Sequence, residues 1–260
     1  MKQPLAYVHP DAKIAPNVVI DPFVTIDKNV VIGEGTRISS NVTILENTTI
    51  GKNCVIFPGA VIGAIPQDLK FKGEDTFVVI GDNTIIRECV TIHRGTAAKQ
   101  KTVVGNNCLI MAYCHIAHDC IIGNNVIMAN VTQLAGEVEV DDYAILGGGS
   151  LIHQFTHIGK HVMLQGGSKV NKDIPPYITA AREPISYAGI NSIGLRRRGF
   201  NNDQIREIQN AYRILFQSGM NRTMALEKIE TELPASAERD EIVLFIRNSP
   251  RGILKGYLEK

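Results

Sequence analysis

Residues 8–62 read VHPDAKI-APNVVI-DPFVTI-DKNVVI-GEGTRI-SSNVTI-LENTTI-GKNCVI-FPGAVI when broken after each recurring aliphatic residue. Val8 starts the series, and isoleucine then returns every sixth residue from Ile14 to Ile62. The same phase resumes at Ile80, Ile86 and Ile92, and again from Val104 to Val170. Of 28 slots between 8 and 170, only Asp68, Glu74 and Ala98 depart from the rule. Six residues are too few for a helix–turn–helix unit and the wrong period for a heptad. They suit one short strand and one tight turn, and three such units close a triangular coil of about 18 residues on which the next coil stacks.

The slot residue points into the prism, where β-branched side chains pack well on a pleated surface. The residue four places on also points inward near a corner and is small, as at Val18, Thr36, Cys54, Ala60, Cys108, Cys114 and Cys120. Corners call for residues tolerant of positive φ. Asparagine recurs three after the slot, at Asn17, Asn29, Asn41, Asn47, Asn53, Asn83, Asn107 and Asn125, and glycine recurs directly after it, at Gly33, Gly51, Gly63, Gly81, Gly105, Gly123, Gly147 and Gly159. Both are expected to supply that conformation.

Residues 1–186 therefore read as a parallel β-helix of about nine coils, about 43 Å long at about 4.8 Å per coil. Two polar stretches, 63–77 and 95–103, break the pattern without losing phase, and are expected as loops expelled from the prism. Such loops often carry binding residues. Beyond residue 187 the spacing turns helical, so 187–260 reads as a C-terminal helical domain. One helix is expected from Asn201 or Asn202 to Gly219, a second near Thr223–Glu232 and a third over Ala237–Asn248.

Net charge is +1, which favours neither nucleic acid nor membrane. No apolar run is long enough to span a bilayer and no signal-peptide pattern is present, so the expected location is the cytoplasm. Four of the 5 cysteines occupy the small inward slot, and no CxxC pair exists, which points to packing rather than disulfides or zinc. The tail holds a basic run, Arg196-Arg197-Arg198, suited to phosphate or an acidic partner. Six of the 7 histidines lie between 93 and 161. His118 stands two after its slot, pointing out of the prism beside Asp119, a pairing that suits a general base whose imidazolium a carboxylate stabilises.

The hexapeptide repeat, QDLK at 67–70, TIHRGT at 91–96, HIAHD at 115–119, HQF at 153–155, DIPPY at 173–177 and GLRRRGF at 194–200 occur in this order along essentially the whole chain. Together they resemble the UDP-N-acetylglucosamine O-acyltransferase family. The resemblance implies a mainly β protein built on a left-handed parallel β-helix, a homotrimer with active sites between neighbouring prisms, and no cofactor or metal. It implies transfer of a long 3-hydroxyacyl chain from acyl carrier protein to the glucosamine 3-hydroxyl of UDP-N-acetylglucosamine, the first step of lipid A synthesis. By motif match, His118 is the general base, Asp119 its orienting partner and Gly136 the backbone oxyanion donor. Asp68, Lys70, His115, His153 and Gln154 match residues around the sugar nucleotide, and Asn191 and Arg198 match nucleotide and phosphate contacts. Gly166 matches the position that measures acyl length. Three positions depart from the family pattern: Glu137 stands where many relatives carry histidine, Ile193 where an acidic residue is common, and Pro184 where some carry histidine.

Three other readings share the prism. The sister family that N-acylates a related glucosamine nucleotide carries a uridine-binding domain ahead of its β-helix, whereas hexapeptides begin here by residue 8. Coenzyme A-dependent hexapeptide acetyltransferases lack the QDLK loop and the long tail. A zinc hydratase needs three converging histidines, of which His115 and His118 offer two.

Overall fold

The computed structural model of the chain describes residues 4–256. Short parallel strands, most of two residues, run from Tyr7–Val8 to Lys169–Val170 and stack into three sheets of nine, eight and eight strands, the last extended to eleven by Ile178–Ala181, Ser186–Ile190 and Lys255–Gly256. Val8 pairs with Ile26, Ile14 with Ile32 and Ile20 with Ile38, so each slot stacks on the slot three repeats along the chain. The result is a left-handed parallel β-helix, with the slot residues forming its core: Ile26, Ile44, Ile62, Ile92 and Ile116 are all wholly buried. The inward cysteines are buried as well, and the Cys54 and Cys108 thiols each donate to a carbonyl of the next coil at 3.1 Å.

From Phe23 onward most corners carry one residue in the left-handed region, three after the slot; the corners at Asp11 and Asn17 do not, so Asn17 departs from the expectation. Asparagine fills many of these places, but so do Phe23, Cys89, Tyr113, Val131, Tyr143 and His161. The glycines directly after the slot serve a different purpose from the one expected. Of the eight, only Gly63 has positive φ. The others are glycine because the next coil leaves no space: a Cβ on Gly33 would lie 2.7 Å from the Gly51 carbonyl carbon, and one on Gly105 would lie 2.4 Å from the Gly123 oxygen.

The two loops explain why the phase survives. Val61 pairs with Thr43, three repeats before it, but with Thr91, five repeats after it. Thr91 in turn pairs with His115, four repeats on. The first loop thus inserts two whole repeats and the second inserts one, so the count along the chain never slips. The three slots that break the aliphatic rule, Asp68, Glu74 and Ala98, all fall inside them.

The prism ends in an antiparallel hairpin, Ile178–Ala181 with Ser186–Ile190, so residues 186 and 187 lie within one strand. Four helices follow: α1 (Ser192–Arg197), α2 (Asn202–Gln217), α3 (Arg222–Glu232) and α4 (Ala237–Arg247). Asn201 caps α2 in a capping box with Gln204, and Asn221 and Ser236 cap α3 and α4. The short α1 has too little apolar periodicity to be seen in the sequence; Asn191 caps it and the buried Leu195 anchors it. Lys255–Gly256 returns to pair with the hairpin strand, and the hydroxyl of the wholly buried Tyr212 donates to the Pro176 carbonyl at 2.6 Å. One continuous core thus joins tail to prism. Among the described residues no helix is long and apolar enough to cross a membrane.

Candidate active site

His118 and Asp119 turn the corner after His115–Ile116, a strand of the nine-stranded sheet. The imidazole Nδ1 lies 2.9 Å from Asp119 Oδ2. An ionised carboxylate only accepts, so this contact assigns the proton to Nδ1 and leaves Nε2 as an acceptor. One coil further, a Cβ on Gly136 would sit 2.5 Å from both Nε2 and Cε1 of that ring. Gly136 does not have positive φ, so here too the glycine provides space rather than conformation. It is buried, and among the described residues its N–H meets no acceptor. The residue lies against the ring that offers a free lone pair, with its N–H uncommitted.

Asp119 is wholly buried, contrary to the simple picture of an outward pair on a bare wall. The 95–103 loop folds back over it. Thr96 Oγ1 donates to Oδ2 at 2.6 Å, while the N–H groups of Thr96 and Lys99 donate to Oδ1 at 2.9 and 3.2 Å. Burial alone raises a carboxyl pKa, but the bonds from Thr96 and His118 outweigh it and hold Asp119 below its usual range. The loop is tied down by Lys99 Nζ, 2.6 Å from Glu139. The His118 side chain is itself only 11% exposed.

Two further histidines join from the preceding strands. His93 is buried and meets His115 edge-on, with ring centroids 4.7 Å apart. Burial, and then the neighbouring His115 and His118, push the His93 pKa down to about 4. Burial and His118 lower that of His115, whose Nδ1 lies 2.7 Å from Thr91 Oγ1. Among the described residues no three His, Cys, Asp or Glu side chains converge in a way that could hold a metal ion. Arg94 extends the row, paired to Glu46 at 2.7 Å and lying over the Phe71 ring of the 63–77 loop. That loop carries Asp68 and Lys70, whose backbone N–H donates to the Asp68 carboxylate at 2.9 Å; the Lys70 side chain is exposed. Gln154 lies one coil beyond Gly136, and the exposed His153 turns its Nδ1 to the Gln154 carbonyl at 3.0 Å.

The remaining sequence-based site residues lie elsewhere on the prism. At the corner after the eight-stranded sheet, His161 stacks between Tyr143 and Tyr177, with centroids 4.9 and 5.6 Å away. Arg198 brings Nη1 to 3.4 Å from His161 Nδ1 and lies over the Tyr143 ring. Burial, and then the nearby Arg198 and Lys160 cations, lower the His161 pKa to about 4. Asn191 commits its carboxamide to structure, accepting from Gly194 N at 3.1 Å and donating to the His161 carbonyl at 2.9 Å. Gly166 marks the third corner, after Met163–Leu164, where a Cβ would lie 3.0 Å from the Gly148 oxygen. A single prism therefore presents His118, Arg198 and Gly166 in three directions. Lys169, Lys172 and Arg182 line a cleft of about 1140 Å³, together with Arg222 and Lys255 from the tail.

Sequence reasoning missed His93, Arg94, Thr96 and Thr102 as parts of this site. The TIHRGT motif holds the first three, but nothing in a motif says that the following loop returns over Asp119.

A family model described as UDP N-acetylglucosamine O-acyltransferase, domain 2, matches residues 173–254, and a bacterial transferase hexapeptide model matches 101–134. A GMPPB C-terminal domain model matches 2–103. The chain is 50% identical over 97% of its length to an acyl-[acyl-carrier-protein]–UDP-N-acetylglucosamine O-acyltransferase of Myxococcus xanthus, covering 98% of that protein. It superposes on a UDP-N-acetylglucosamine acyltransferase from Bacteroides fragilis with a TM-score of 0.96 at 59% identity, covering 98% of this chain and 100% of that one. An Arabidopsis UDP-N-acetylglucosamine acyltransferase aligns with a TM-score of 0.89 at 37% identity, over 98% of this chain and 100% of that one.

Proposed function

The chain belongs to the UDP-N-acetylglucosamine O-acyltransferase family and is an acyltransferase; from that premise we propose that it moves a long 3-hydroxyacyl group from acyl carrier protein to the 3-hydroxyl of UDP-N-acetylglucosamine, with His118 as general base. The reaction is assigned to the cytoplasm, as the first step of lipid A synthesis.

The observation that carries the reading is the His118–Asp119–Gly136 geometry. The carboxylate holds Nδ1–H, so Nε2 receives the proton of the attacking sugar hydroxyl. As the oxygen adds to the thioester carbonyl, negative charge develops on the carbonyl oxygen. The unpaired Gly136 N–H is the donor for it, one coil from the base. The tetrahedral intermediate then collapses and expels the carrier thiolate, which takes the proton from the imidazolium. The neighbouring histidines favour this cycle. His93 is held neutral by burial, so it adds no positive charge that would oppose formation of the imidazolium.

Substrate binding is assigned to Asp68 and Lys70 on the 63–77 loop, with His115, His153 and Gln154 along the same corner. Asn191 and Arg198 are assigned to the nucleotide. These two lie at a different corner from His118, which supports a homotrimer: a neighbouring prism supplies the groups that one copy turns away. Gly166 is assigned as the acyl ruler, and Lys169, Lys172 and Arg182 as part of the surface that attracts the acidic carrier.

The test is an acyl-transfer assay on the purified protein with UDP-N-acetylglucosamine and 3-hydroxyacyl carrier proteins of several lengths. The expected product is an alkali-labile ester with one preferred chain length. An alkali-stable amide, or no transfer from any carrier, overturns the reading.

A further inference from the structure

We propose that Thr96 is a positioning residue for the reaction: its hydroxyl fixes the Asp119 carboxylate so that His118 presents Nε2 to the acceptor hydroxyl. The inference rests on the reading of His118 as the base.

Asp119 Oδ2 is shared between two donors, His118 Nδ1 at 2.9 Å and Thr96 Oγ1 at 2.6 Å. The hydroxyl has only one proton. Donated to Oδ2, it leaves the oxygen lone pairs for the Ala98 N–H, which donates to it at 3.2 Å. The same residue's backbone N–H holds Oδ1 at 2.9 Å. Thr96 therefore grips both carboxylate oxygens and prevents rotation about the Cβ–Cγ bond. Asp119 itself sits at a strained corner with φ 60° and donates its backbone N–H to Thr102 Oγ1 at 2.9 Å, so the strand Lys101–Val104, into which the loop leads, fixes its main chain. The loop is pinched shut at Gly95, where a Cβ would lie 2.3 Å from Lys101 N. Thr96 is buried, and its hydroxyl meets the carboxylate and not the His118 ring. Its effect on chemistry has one route, through Asp119 to His118.

That route makes the expected kinetics distinctive. Thr96→Val keeps shape but loses the hydroxyl proton. It should lower kcat about 10- to 100-fold, the scale of a small misalignment at a reacting group, while KM for nucleotide sugar and for carrier stays within about twofold. Thr96→Ser keeps the hydroxyl and should restore most of kcat. Because Thr96 acts through Asp119, Thr96→Val combined with Asp119→Asn should be no slower than Asp119→Asn alone. If the valine variant does not fold, Thr96→Ala carries the same comparison. Wild-type kcat in Thr96→Val, serine as slow as valine, or losses that multiply in the double variant overturn the inference. His118→Ala is measured beside them: if it retains turnover, the base assignment itself falls, whereas an inactive His118→Ala with a fully active Thr96→Val removes only the role of Thr96.

Discussion

Asn29 and Asp119 occupy the same corner of the same sheet, with φ of 57° and 60°. Asn29 is exposed, and among the described residues its side chain reaches only Asn47 on the next coil, at 3.4 Å. Asp119 is wholly buried and accepts from Thr96, Lys99 and His118. The prism beneath them is the same. The difference is the one-repeat insertion on the coil before Asp119, which returns over the corner and shields a carboxylate that the bare repeat would leave in water. Uninterrupted coils build a wall; interrupted coils build a site on it.

The largest expected consequence is at His118. His118→Ala should cost about 10² to 10⁴ in turnover, with the melting transition kept because the ring lies outside the aliphatic core. Asn29→Gly, at the uncovered corner, should leave turnover unchanged. Retention of more than about a tenth of the rate by His118→Ala, below the loss a positioned base accounts for, would erase the distinction between the two corners.

Glycines sharpen the same contrast. In Gly136→Ala the new methyl meets the His118 ring, which must swing away, so turnover should fall about 100-fold with little change in melting temperature. In Gly33→Ala the methyl meets the backbone of the next coil, which cannot swing. That change should cost about 1–3 kcal/mol of stability while the folded fraction keeps full activity. A reversed pattern would mean that the interrupted coils are the structural ones.

Gly166 tests an uninterrupted late coil for function. Its added Cβ requires only a few tenths of an ångström of adjustment against Gly148. Gly166→Met should therefore fold, and should shift preference to shorter 3-hydroxyacyl donors by about fourfold per methylene, equivalent to about 0.8 kcal/mol. An unchanged chain-length profile, measured across a donor series, would place the ruler elsewhere.

The smallest effect is on acid stability. His93 and His161 are held neutral, each with its pKa lowered to about 4, whereas the unfolded chain takes up these protons near pH 6.5. The stability they provide is complete above about pH 6.5 and is lost as pH falls toward 4. Melting temperatures between pH 7 and 4 should fall accordingly, and His93→Asn should flatten part of that slope. If the slope is the same in the variant, His93 is not carrying a buried neutral ring.

The aliphatic series from Val8 to Val170 determined the coil, its three faces and the identity of the core, because a period of six admits only one side-chain direction per slot. Periodicity also located the three longer helices of the tail, whose apolar faces repeat over enough turns to be read. The motifs marked His118, Asp119 and Gly136, but spacing alone placed His118 beside an acid on an open wall. Only the tertiary structure decided that the 95–103 loop buries that acid, that Gly136 is glycine to admit an imidazole, and that Arg198 and Gly166 face away from His118. A repeat reports what each residue does within its own coil. Where an insertion lands, and which side chains from distant coils it covers, depends on contacts between residues that no local pattern links.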